Sequence, residues 1–143
     1  MPKPVVSKAS TVWNGDLFSG SGSTRLSGSG LGPIDVDWKA RAEEGAGPRT
    51  SPEELIASAH ATCFAMALSN GLAQNDTPPT RLDTSAEVTF VAGEGITGIA
   101  LSVQAEVENL SAEDFARLAD EAKANCPVSQ ALSVDITVDA SLA

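Results

Sequence analysis

The sequence predicts an α+β fold in which antiparallel strands accompany one long, central, cysteine-bearing helix. Three observations predict it. Runs with period-two alternation appear early, in the middle and at the end of the chain. Two segments open on helix-start signals and continue with apolar residues at helical spacing. The resulting order is strands, long helix, two strands, helix, strand. At 143 residues, with no internal repeat or linker, the chain is expected to form one domain spanning 1–143.

Residues 9–27 alternate loosely around two turns. Trp13-Asn14-Gly15-Asp16 carries a hairpin-type signal, and Ser19-Gly20-Ser21-Gly22-Ser23 follows it. The Ser/Gly run has the composition of a linker, but it is short and sits among Val12, Trp13, Leu17, Phe18 and Leu26, which favours meandering strands. A third strand is expected at Ile34-Asp35-Val36-Asp37-Trp38, with Ile34, Val36 and Trp38 on one face. Gly45-Ala46-Gly47-Pro48-Arg49-Thr50 then forms a loop.

The long helix follows. Ser51 suits the N-cap, Pro52 the first helical position, and Glu54 completes a capping box, while Glu53 and Glu54 complement the positive helix end. Leu55, Ile56, Ala59, Cys63, Met66, Ala67 and Asn70 recur at helical spacing, and Gly71 or Asn75-Asp76 ends the run. Its many small residues would allow another helix to approach closely.

Strands are expected over 83–91 and 99–107, separated by a turn rich in glycine at Gly93, Gly95 and Gly98. A Ser111-capped helix carries Phe115, Leu118, Ala119 and Ala122 as its apolar stripe and ends near Asn125. Pro127 to Leu132 makes a short helical turn, and Val134, Ile136 and Val138 a last strand.

Composition narrows the function classes. Hydrophobic residues make up 42% and charged residues 20%, as in a soluble globular protein. A net charge of −10 argues against nucleic acid and against an anionic membrane surface as partners. The first eight residues contain no apolar signal core, and no later run is expected to reach membrane-spanning length. A cytoplasmic location follows as the expectation. There, two cysteines point to catalysis, metal binding or inert packing rather than to a structural disulfide.

Cys63 has two readings, a small apolar core residue or a reactive thiol on a rigid helix. Cys126 lies between a helix end and Pro127. As the N-cap of the next turn, its thiolate would meet free backbone amides. His60, the single histidine, precedes Cys63 by one helical turn. It is either a general base beside a thiol or a satisfied helix histidine. His60, Cys63, Cys126 and one carboxylate could hold zinc, although there is no Cys-x-x-Cys pair and no second histidine. In so acidic a chain a reactive thiolate needs a specific cation, and Arg41 and Arg49 are the arginines leading into the cysteine helix.

Taken together, Pro52-Glu53-Glu54-Leu55-Ile56-Ala57-Ser58-Ala59-His60-Ala61-Thr62-Cys63-Phe64 and Cys126-Pro127-Val128-Ser129-Gln130 strongly resemble the OsmC/Ohr family, in their wording the OsmC branch. The resemblance covers nearly the whole chain. It implies the OsmC-like fold, an interlocked homodimer, and thiol-based reduction of organic hydroperoxides without a cofactor or metal. By the same resemblance Cys63 matches the peroxidatic cysteine and Cys126 the resolving one. Glu53 matches the family's glutamate and Arg41 its thiolate-binding arginine, with Arg49 a near competitor.

The implied cycle suits the residues. The Cys63 thiolate attacks the peroxide, Arg41 held by Glu53 stabilises the charge, and the sulfenic acid condenses with Cys126. An external dithiol, a lipoyl-type group among the candidates, restores both thiols. Leu55, Ile56, Phe64 and Met66 around Cys63 fit an alkyl hydroperoxide better than hydrogen peroxide. Two alternatives remain: a redox-sensing or small-molecule-binding module with little turnover, and a zinc-binding domain.

Overall fold

Alternation becomes sheet in the first fifty residues. The computed structural model describes residues 2–45 and 47–143. The expectations for the N-terminal stretch and for the 45–50 loop fall partly on Met1 and Ala46, which lie outside the described residues. The chain divides into two units, Met1–Pro52 and Glu53–Ala143.

In the first unit β1 (Ser10–Asn14), β2 (Ser21–Leu26) and β3 (Leu31–Val36) form an antiparallel sheet in sequence order. The Ser/Gly run therefore belongs to a strand. A side chain at Gly22 would collide with the Val12 carbonyl and the Trp13 ring, so the absence of Cβ is what lets β2 lie against β1. Trp38 corrects the expected third strand. It opens the short helix α1 (Trp38–Ala42), because Asp37 takes the N-cap and its carboxylate accepts from the Ala40 amide at 2.8 Å. The Trp38 ring meets Phe18 edge to face at 5.2 Å. Thr50 returns to the end of β3, donating its amide to the Asp35 carbonyl at 2.8 Å.

In the second unit α2 (Pro52–Gln74) starts at the proline after Ser51, as the cap pattern requires, and passes through Gly71 to end before Asn75 and Asp76. Asp76 turns the chain with φ of 60°. β4 (Arg81–Val91) and β5 (Gly95–Glu106) pair antiparallel around Gly93 and Gly95, both at positive φ. α3 (Ala112–Asn125) is capped by Ser111, whose hydroxyl accepts from the Asp114 amide at 3.1 Å, and α4 (Pro127–Ala131) follows. β6 (Asp135–Leu142) then pairs with β5 in parallel. This corrects the all-antiparallel expectation. The α3–α4 crossover is long enough to carry the chain back to the start of β5, and a parallel pair needs such a crossover.

The core of this unit joins Phe64, Leu68 and Leu72 of α2 to Ile99, Leu101, Val103 and Ala105 of β5 and Phe115, Leu118, Ala119 and Ala122 of α3. Thr84 of β4 also donates its hydroxyl to the Ala61 carbonyl at 3.0 Å. The buried stripe of α2 is thus Glu53, His60, Phe64, Leu68 and Leu72, whereas Met66 is 69% exposed and Ala59 and Asn70 are exposed too. The helix is apolar or small on every side, so periodicity cannot select the packed face.

α2 also corrects the statement about membrane-spanning length. It is 23 residues long with an 18-residue window of mean hydropathy 1.3. With Phe64, Leu68 and Leu72 packed among β5 and α3, it is a core helix of the fold.

Candidate active site

The two thiols, far apart in sequence, meet in the second unit. α2 carries Cys63 on its flank, half-buried, while Cys126 is fully buried at the α3–α4 junction. Pro127 shapes that junction. A residue before proline is driven out of the helical region, and Cys126 accordingly has φ −61° and ψ 121°. It closes α3, donating its amide to the Ala122 carbonyl at 2.9 Å, and heads α4, as expected.

The Cys63 and Cys126 sulfurs are within hydrogen-bonding reach of each other. Burial and donation to Cys126 push the Cys63 thiol up, against a smaller opposing effect of the Val128 amide. Burial opposes ionisation of Cys126 as well. Donation from Cys63 and the nearness of the Ser129 hydroxyl and of the first amides of α4, although none of these amides closes a cap hydrogen bond to the sulfur, outweigh it and hold the Cys126 thiol below its ordinary value. The two thiols share one hydrogen bond, so Cys63 is pushed up as Cys126 is drawn down, and their titration belongs to the pair. Ionising Cys63 requires a cation beside it.

His60 is fully buried, and its Nε2 lies 2.7 Å from Ser129 Oγ. It therefore addresses α4 and the Cys126 side of the pair. Burial pushes its imidazole below the ordinary histidine value, which keeps it neutral. Its Nδ1 has no hydrogen-bond partner. Among the described residues, no group of three or more His, Cys, Asp and Glu side chains is arranged to hold a metal ion.

Glu53 shares α2 with Cys63 and is 6% exposed. Ten helical positions separate the two by about 15 Å along the axis and by roughly 80° around it. Glu53 thus lies on the His60 stripe rather than beside Cys63. Arg41 lies in the last turn of α1 in the first unit, and Arg49, in the same unit, forms an ion pair with Asp37.

Beside Cys63 runs an open groove of about 680 Å³, walled by Met66 and Ala67 of α2, Leu118 and Ala122 of α3, and Pro127. Arg117 also lines it, held by Asp114 at 3.5 Å and Glu121 at 3.3 Å. Sequence reasoning placed Leu118 and Ala122 on the apolar stripe of α3 and Ser129 within the Cys126 motif, but gave neither a part in the site. The available signal for Ser129 was its place three residues after Cys126, on the same side of one helical turn.

The family model "OsmC-like protein" matches residues 45–141. Peroxiredoxin OsmC of Escherichia coli is 40% identical over 138 residues, covering 94% of this chain and 95% of that protein. The chain belongs to the OsmC-like family. Organic hydroperoxide resistance protein OhrA of Bacillus subtilis is 32% identical over 94 residues, covering 63% of this chain and 66% of that one. The match to the OsmC relative is both longer and closer, in keeping with the OsmC-type wording around the cysteines. The OsmC-like fold itself is shared with an organic hydroperoxide resistance protein OsmC from Legionella pneumophila, at TM-score 0.70 and 23% identity over 99% of both chains. An OsmC-like protein from Mycoplasma pneumoniae superposes at TM-score 0.72 and 16% identity, again over 99% of both chains. The matched span includes α2, both cysteines and Ser129, so the OsmC-like region contains the thiol pair and its hydroxyl neighbour.

Proposed function

We propose that the protein is a thiol peroxidase that reduces organic hydroperoxides to alcohols. The observation that carries this reading is the pair of facing thiols, Cys63 and Cys126, beside an open groove with apolar walls at Met66, Leu118 and Pro127 and a polar margin at Asn70, Gln74 and Arg117. Peroxiredoxin activity named for the Escherichia coli relative and hydroperoxide resistance named for OhrA point the same way.

In this reading the Cys63 thiolate attacks the distal peroxide oxygen. The O–O bond breaks, the alkoxide takes a proton and leaves as the alcohol, and Cys63 becomes a sulfenic acid. Cys126 condenses with it, expelling water and forming a disulfide. A dithiol returns both residues to thiols by exchange. The groove walls suit an alkyl substituent, and its volume is that of a small-molecule site.

Arg41, in keeping with the family resemblance, supplies a cation to the Cys63 thiolate, and buried Glu53 orients the guanidinium. A homodimer completes the site. In support, α2 leaves Ala59, Met66 and Asn70 exposed on the side away from its buried stripe, with Met66 at the edge of the groove. A partner on that face would cover apolar surface and bring a second Glu53 and Arg41 towards each Cys63.

The test is consumption of an alkyl hydroperoxide with a dithiol reductant by the wild-type protein and by Cys63→Ser. Multiple turnover by the wild type and none by Cys63→Ser is the expected result. Sustained turnover by the variant overturns the assignment, and a wild type that forms the disulfide without turning over is a sensor instead.

A further inference from the structure

We propose that His60 and Ser129 are positioning residues that run an ordered hydrogen-bond chain from a buried imidazole to the Cys126 sulfur, keeping Cys126 ready as the resolving nucleophile. This rests on the reading of Cys126 as the resolving cysteine. Nothing in the roles of Cys63, Cys126, Arg41 and Glu53 requires a histidine, yet His60 is fully buried and spends its Nε2 on Ser129 at 2.7 Å.

The direction of the chain follows from the other ring nitrogen. Nδ1 is buried without a partner. A buried N–H without an acceptor is among the rarest defects in folded proteins. We therefore assign the hydrogen to Nε2, which leaves Nδ1 as a bare acceptor. Nε2–H then donates to Ser129 Oγ, and the serine must direct its single hydrogen elsewhere. The Cys126 sulfur heads the same turn three positions earlier, and the hydroxyl lies near enough to favour its thiolate. The chain ends on sulfur as an acceptor, and it favours thiolate over thiol.

The other titratable groups near this junction are accounted for. Cys63 faces Cys126 from α2, and α4 carries no ionisable side chain. On α3, Lys123 Nζ reaches the Ile136 carbonyl at 3.4 Å and Glu121 is paired with Arg117.

The chain acts after peroxide has been reduced. Once Cys63 is a sulfenic acid, it no longer gives Cys126 a thiol hydrogen bond. Ser129 then keeps the anion on Cys126. That thiolate attacks the Cys63 sulfur, the S–S bond forms as the S–O bond breaks, and hydroxide leaves, taking up the proton Cys126 had released. The net change is one sulfenic acid and one thiol converted to one disulfide and one water, with no outside oxidant or reductant.

The test titrates Cys126 alone, by thiolate absorbance near 240 nm in a Cys63→Ser background, with folding checked by circular dichroism. Adding Ser129→Ala should raise the apparent Cys126 pKa by one unit or more, a tenfold loss of thiolate below it. His60→Phe should shift it the same way, and Ser129→Thr should preserve the original value. A folded Ser129→Ala protein with an unshifted titration overturns the proposal, as does a folded Ser129→Thr protein that behaves like Ser129→Ala. No peroxide enters the titration, so its outcome is separate from that of the peroxidase reading, which fails if peroxide produces no Cys63–Cys126 disulfide.

Discussion

Ser129 Oγ and His60 Nε2 lie 2.7 Å apart although 69 positions separate them in the chain. The contact joins the middle of α2 to α4, and it sits beside the place where Cys63 and Cys126 meet. The same two elements therefore hold the thiol pair in register twice, once through sulfur and once through an imidazole–hydroxyl bond.

The register predicts how the oxidised protein is cross-linked. Brief treatment with an organic hydroperoxide should give an intramolecular Cys63–Cys126 disulfide, read by mass spectrometry of the non-reduced digest. A disulfide needs Cα atoms within about 7 Å, and the side-chain contact between the two thiols places them for that bond. Intermolecular disulfides as the sole product would contradict the pairing.

Removing Cys126 separates the two halves of the cycle. Cys126→Ser should complete roughly one turnover per Cys63, then stall and accumulate sulfinic acid at Cys63 under excess peroxide. A stopped-flow burst followed by intact-mass analysis measures both. Steady multiple turnover at the wild-type rate would show that Cys126 does not resolve Cys63.

Helix geometry predicts a shared site. Glu53 and Cys63 sit on one continuous helix, about 15 Å apart along its axis and on different faces. A glutamate and one arginine span only part of that distance. Mixing inactive Cys63→Ser and Glu53→Ala proteins under subunit exchange should restore activity, because one of the two sites in the heterodimer regains both groups. No recovery from verified heterodimers would put the whole site within one chain.

His60 predicts a pH dependence of stability. Burial lowers its folded pKa below the ordinary value of 6.5. The unfolded chain therefore binds a proton that the folded chain refuses as pH falls below about 6.5. Stability should decline from there towards the lower folded value, at no more than about 1.4 kcal/mol per pH unit, and this contribution should vanish above that range. Thermal unfolding between pH 5 and 8 measures it, with His60→Gln as the comparison. An identical acid-side slope in both proteins would mean that other groups produce it.

Much of the second unit was legible because its signals are local. Ser111 caps α3 and Phe115, Leu118, Ala119 and Ala122 form its buried stripe, as periodicity demands. The inward positions of β5 follow from strict alternation at Ile99, Leu101 and Val103. Cys126 falls at the helix junction because Pro127 restricts the residue before it. Where a local signal was ambiguous the expectation failed. Trp38 continued an alternating run, yet Asp37 had the chemistry of an N-cap and won.

By itself, then, the sequence determined the elements other than α1, the cap of α3, the two cysteine settings and the OsmC-like resemblance, since each depends on residues a few positions apart. Only tertiary structure decided which face of α2 is buried, because a helix apolar all round carries no preferred side. It also decided that β6 runs parallel to β5, which depends on where the α3–α4 crossover returns the chain. And it decided that Cys63 and Cys126 meet, with Ser129 and His60 beside them. That meeting depends on how α2 packs against the α3–α4 junction, which spacing along the chain does not encode.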